Sequence, residues 1–267
     1  MRRFVALALA LALTFVLGAQ VFAADRRKIA TLNVGATALV TLASCAIQKH
    51  LRVVRCLTAG AIAGTAFYQA KRLAGRGDIT EGWLVANAAN SLIENTTAGE
   101  HPLSRIGYTF GPLRIRVATP FDRSRESLAD VDLSAAETGY LLQAFADADD
   151  VDIRDGMLWY ETRDPERGEG GVVFHGYTWG IFPGVWSGAE THTWRHEAVH
   201  AVQALQMDAP EPPVLTLDRE RRLFRVRYLR AGALNVADNV TTAQQEYANR
   251  WEEIEAYRFA EDRKPPQ

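Results

Sequence analysis

Cysteine, repeated sequence and surplus charge are what this 267-residue chain has least of. Two cysteines, Cys45 and Cys56, leave room for one disulfide at most, and neither is a convincing zinc ligand. A formal net charge of −2 argues against nucleic acid as the main partner. No internal repeat or low-complexity tract occurs beyond an Ala/Gly richness before residue 75. What is plentiful is core material. With 48% hydrophobic residues, the length suits one globular domain plus an N-terminal appendage.

Residues 1–23 read as a secretory signal peptide. Arg2 and Arg3 supply the basic start, Phe4 to Leu17 the apolar stretch, and Val21-Phe22-Ala23 the cleavage site; an uncleaved signal anchor is the alternative. The expected location is therefore outside the cytoplasm, in the periplasm or cell envelope. Residues 24–100 follow as an Ala/Gly-rich helical segment. Ile29–Gln48 and Cys56–Ala70 carry no charge and are flanked by basic residues. Over residues 29–70 the choice lies between a membrane-inserted hairpin and a hairpin packed on the remaining domain. Gly60 and Gly64 are spaced for close helix packing. Cys45 and Cys56 bracket the turn, either as a disulfide or as free buried thiols.

The chemistry concentrates in Thr193-Trp-Arg-His-Glu-Ala-Val-His-Ala-Val202. On a helix His196 and His200 share one face and can offer two imidazole nitrogens to one metal ion. Glu197 is offset around the helix, close enough to reach a metal-bound water without ligating the metal. Neither proline nor glycine occurs between Trp194 and Met207, so three to four helical turns are allowed.

This stretch resembles the extended signature of zincin metallopeptidases, and Gln203 extends the likeness to zincin-like domains reading H-E-x-x-H-x-x-Q. Asn249 to Glu261 is similar to the second metal-binding helix of gluzincins, aligned on Glu255-Ala256 and Phe259-Ala260. The resemblance implies Zn2+ as cofactor and Glu253 as third ligand, with Glu255 the next choice. Glu253 shares a helical face with Asn249, Ala256 and Ala260, whereas Glu252 and Glu255 read as a solvated face continued by Arg258. Tyr257 stands where the family usually has an Asp or Asn that supports a ligand histidine, which puts that support in question.

Residues 101–267 then form the zincin-like domain of an α+β fold. Asp78 to Gly99 reads as a helix. Leu113, Ile115 and Val117 alternate with Arg114 and Arg116, as in a strand with one wet face. Ser134-Ala-Ala-Glu137 is a capping box, and strands are expected near 157–162 and 172–181. By the resemblance, the latter is an exposed edge along which a peptide substrate lies, with Tyr177 and His175 as candidates to stabilise the oxyanion. The expected activity is zinc-dependent peptide-bond hydrolysis with Glu197 as general base. A non-catalytic zinc-binding module and a structural envelope protein are the alternatives.

Overall fold

The computed structural model describes residues 26–123, 127–164, 166–167, 173–174, 176–208, 215–217, 224–227 and 251–260. Residues 1–23, His175, Asn249 and the glycine-rich stretch 168–171 lie outside them. The architecture is mixed α+β, with six helices and small sheets among the described residues.

Three helices come first: α1 (Arg26–Ile47), α2 (Val53–Arg76) and α3 (Ile79–Thr97). α1 is long and apolar enough, by length and composition, to cross a membrane, yet half of its apolar window is buried against the rest of the chain. The reason for its seating is in α2. A Cβ at Gly60 would stand 2.6 Å from the Ala38 Cα, and one at Gly64 2.6 Å from the Asn33 carbonyl oxygen, so only glycine lets these two backbones approach so closely. Cys45 and Cys56 are joined as a disulfide across the turn.

The first sheet has the order β1-β2-β3-β11-β10, built from β1 (Arg105–Phe110), β2 (Leu113–Ala118), β3 (Ala129–Ser134), β10 (Leu215–Leu217) and β11 (Phe224–Arg227). β3 and β11 run parallel and the remaining pairs antiparallel. β2 does have one wet face, but it is the aliphatic one. Leu113, Ile115 and Val117 are exposed while Arg114 and Arg116 are buried. The inward face is polar because α3 presents Asn87, Ser91 and Glu94 to it. Arg114 donates to Glu94 Oε2 at 2.9 Å, Asn87 Oδ1 at 3.0 Å and Ser91 Oγ at 2.9 Å. Arg116 donates to Asp130 Oδ1 on β3 at 2.7 Å.

Ser134 caps α4 (Ala135–Asp147) by accepting from the Glu137 backbone N–H at 3.2 Å. The second sheet has the order β4-β5-β9-β8, from β4 (Asp150–Arg154), β5 (Met157–Thr162), β8 (Gly176–Trp179) and β9 (Phe182–Trp186). The strand expected over 172–181 is described only in part, and the described parts belong to two sheets. Its described parts are β7 (Val173–Phe174), paired with β6 (Glu166–Arg167), and β8, which turns at Gly180 with φ +58° into β9. This sheet lies on α5 (Thr191–Asp208), whose Ala198, Val199, Ala201, Val202 and Leu205 are fully buried together with Trp159, Tyr160 and Phe182. Each of the larger aliphatic side chains stabilises the helix by about 1.5–3 kcal/mol. α6 (Trp251–Ala260) and α2 both pack on α5, which puts α5 at the centre of the molecule.

Candidate metal centre

His196 and His200 stand one turn apart on α5 and face Glu253 on α6. His196 Nε2 lies 2.9 Å from His200 Nε2 and 3.2 Å from Glu253 Oε2, while His200 Nε2 lies 3.3 Å from Glu253 Oε1. Three side chains from two helices thus present three donor atoms to one point, and together they can hold a metal ion. Bond lengths of about 2.0–2.2 Å in a tetrahedral zinc site place neighbouring donor atoms about 3.3 Å apart, close to these spacings. Two imidazoles and a carboxylate are also the donor set of catalytic zinc sites, which keep one further position open. The residues present therefore fit a divalent metal.

Without metal the same atoms form a charged cluster out of water. Burial alone pushes the His200 imidazole down, but the Glu253 carboxylate beside it prevails and raises it to about 9. Burial opposes ionisation of Glu253, and the two histidines overcome that, holding its carboxyl well below the usual range.

Glu197 is set apart from the ligands. Its Oε2 accepts a hydrogen bond from Thr178 Oγ1 on β8 at 2.7 Å, and burial pushes its carboxyl up despite both imidazoles and that hydrogen bond. β8 lies close above it. A Cβ at Gly176 would stand 2.9 Å from Glu197 Cγ and Oε1, so any larger residue there must displace the Glu197 side chain. Gly176 and Thr178 occupy one face of β8, and Tyr177 the other. The Tyr177 ring packs edge-on to Tyr160 at 5.4 Å and to Trp179 at 5.8 Å, so the structure seats this oxyanion candidate in an aromatic cluster.

Support for the ligands comes from Gln203, which the sequence marked without a role, and from residues that the sequence left unmarked or placed on a solvated face. Gln203 Oε1 is 2.7 Å from His200 Nδ1, and its Nε2 donates to Glu255 Oε2 at 2.8 Å and to the Glu252 carbonyl at 3.1 Å. Glu255, expected on a solvated face, is instead 2% exposed. It accepts from the fully buried Lys71 of α2 at 2.7 Å and from Asn33 of α1 at 2.7 Å. A solvated carboxylate would need none of these donors; α1 and α2 close over α6 and supply them. The available signals were a lysine at the end of an uncharged helical run and an asparagine within another. Nothing marked their partner.

Tyr257 packs its ring at 4.4 Å from that of His196, tilted by 54°. His196 Nδ1 is buried without a hydrogen-bond partner among the described residues. The tyrosine therefore fills the space beside His196, and the support that an Asp or Asn would give to Nδ1 is missing there. His192 turns away to Glu190, 3.1 Å distant.

Comparison of the chain with protein-family models, with curated proteins and with solved structures finds no match.

Proposed function

We propose that this chain is a zinc-dependent metallopeptidase of zincin-like design, acting in the cell envelope. The observation that carries the reading is the convergence of His196, His200 and Glu253 from two helices, beside a buried carboxylate that is not one of them. A zinc ion held by these three side chains supplies Lewis-acid polarisation of a peptide carbonyl and acidifies water.

The chain's own residues do the rest. Glu197 takes a proton from the attacking water at its carboxylate and returns it to the leaving amide nitrogen, a general-base step of about 10²–10⁴-fold. Its raised proton affinity suits both halves of that transfer. Thr178 Oγ1 fixes the carboxylate in place. β8, the end strand of the described four-stranded sheet, offers main-chain groups along which an extended peptide aligns antiparallel. Gln203, held by Glu255, orients the His200 ring. The envelope location rests on the apolar, signal-like residues 1–23 and on the apolar length of α1.

A second reading, a metal site without turnover, is favoured by one observation, the His196 Nδ1 without a hydrogen-bond partner among the described residues. The two separate experimentally. About one zinc per chain in the parent, lost from His200→Ala and Glu253→Ala, supports the site. With zinc retained, loss of peptide hydrolysis in Glu197→Gln supports the enzyme. Hydrolysis that survives this substitution refutes Glu197 as the base.

A further inference from the structure

The closed end of the α1–α2 hairpin has chemistry unrelated to the metal centre. Ile47, Leu51, Val53 and Val54 are all exposed there, Val54 by 79% and Val53 by 50%. Ile62, about two helical turns further on, is also exposed, and a cleft of about 630 Å³ runs between Val53, Val54, Ile62, Leu92 and Pro102. Apolar side chains in contact with water at this density mark a surface that another body covers.

The electrostatics say which kind of body. No aspartate or glutamate occurs between Asp25 and Asp78, and Lys49, Arg52 and Arg55 all belong to this end. Among the described residues no acidic one lines the cleft, which Arg52 and Arg55 flank. The Nε and Nη2 atoms of Arg55 are shielded from water and have no hydrogen-bond partner among the described residues. Those two atoms can meet an outside oxygen only when the side chain turns outward, which costs no hydrogen bond among the described residues, and the planar fork of the guanidinium then matches a phosphate. Burial and the neighbouring Arg52 both disfavour its charge, a cost that an anion removes. The Cys45–Cys56 disulfide ties the two helix ends together and keeps these aliphatic residues facing outward.

We propose that this hairpin end docks on an anionic phospholipid bilayer, with Val53 and Val54 entering the acyl boundary and Arg52 and Arg55 on lipid phosphates. Aliphatic side chains need no hydrogen bonds from acyl chains, and basic residues each add about fivefold to binding at an anionic surface. Docking is peripheral, because α1 is committed to its packing on α2 and, through Gln206 to Thr37 at 2.8 Å, on α5. Lys71, which reaches the metal centre through Glu255, is 18 residues beyond Val53 and thus about 27 Å along α2. This inference does not rest on the peptidase reading.

Hydrogen–deuterium exchange on the full chain tests it, because protection is read at the hairpin amides independently of the apolar residues 1–23. Vesicles of phosphatidylcholine with phosphatidylglycerol are expected to protect amides 48–58, and vesicles of phosphatidylcholine alone to give little protection. R52Q/R55Q should raise the lipid concentration for half-protection about 25-fold, at about fivefold per basic residue. V53S/V54S should abolish protection, while unchanged exchange in α5 shows that both variants fold. Equal exchange with and without anionic vesicles overturns the proposal, as does equal protection by the neutral lipid. Protection by inorganic phosphate alone would mean a free-anion site. Protection that grows with protein concentration, without lipid, would mean a second copy as the occupant. Either result also overturns it.

Discussion

Replacing Lys71 by methionine is the most informative single perturbation of this chain. The Lys71 ammonium is fully buried, 2.7 Å from Glu255 Oε2, and Glu255 is itself 2% exposed. A buried pair of this kind adds little net stability over an apolar pair, but removing one partner leaves a charge in the interior and costs about 3–5 kcal/mol. For a chain of this size that lowers Tm by about 6–20 °C, at about 2–4 °C per kcal/mol. Lys71→Met/Glu255→Met removes both charges and should recover most of the loss. Urea unfolding of the parent, the two single variants and the double variant, all in chelator, closes the cycle.

The same variants have a second readout at the metal. Glu255 holds Gln203, and Gln203 holds His200 Nδ1, so the double variant should fold well and still bind zinc about 10–100-fold more weakly. A Lys71→Met protein as stable as the parent would refute the buried pair. A double variant with full zinc affinity would refute its connection to His200.

Four other outcomes follow from the geometry. Gly176→Ala places a methyl group 2.9 Å from the Glu197 carboxylate and 2.9 Å from Thr193 Cγ2, both ends of side chains, so turnover should fall about tenfold or more while the melting temperature moves little. Zinc must displace a proton from His200 in neutral solution, so its affinity should rise about tenfold per pH unit from pH 7 and level off near pH 9, with proton release seen by calorimetry. In the metal-free protein the sign reverses. His200 is raised above its unfolded value of about 6.5, so its stabilising pair with Glu253 is complete below that pH and is lost as pH rises through about 9. On β2, Ile115→Lys should change stability by less than about 0.5 kcal/mol, whereas Arg114→Leu strands the Glu94 carboxylate and costs about 3–5 kcal/mol, measured by denaturant unfolding.

These β2 variants probe the clearest difference between pattern and structure. Period-two alternation at 113–117 establishes a strand with two unlike faces, and nothing within the strand states which face turns inward. The answer lies on α3, where Asn87, Ser91 and Glu94 share one stripe and form a polar bed for Arg114. Read together, the two stripes were legible; read separately, the arginines passed for solvent-facing. Glu255 was misplaced for a related reason. Helical spacing separates it from Glu253, but the donors that pull it inward come from α1 and α2, more than 180 residues earlier in the chain.

Local chemistry determined much by itself. The spacing of His196, Glu197 and His200, the Ser134 cap and the Cys45–Cys56 bracket each depend on residues close by in sequence, so the sequence carries them, and it carries the spacing of the glycine pair on α2 although the backbones that pair meets belong to α1. The resemblance to a gluzincin ligand helix picked out Glu253, and its face-sharing with Ala256 was compatible with that, but Glu255 of the same helix turns inward as well. Only the tertiary structure decided what met those groups: Gln203 and Glu255 behind His200, a tyrosine ring instead of a hydrogen-bond acceptor beside His196, and Gly176 over Glu197. Helical and strand periods fix which residues share a face. The free energy of burying a charge depends on which distant groups come to lie against it, and no local pattern holds that information.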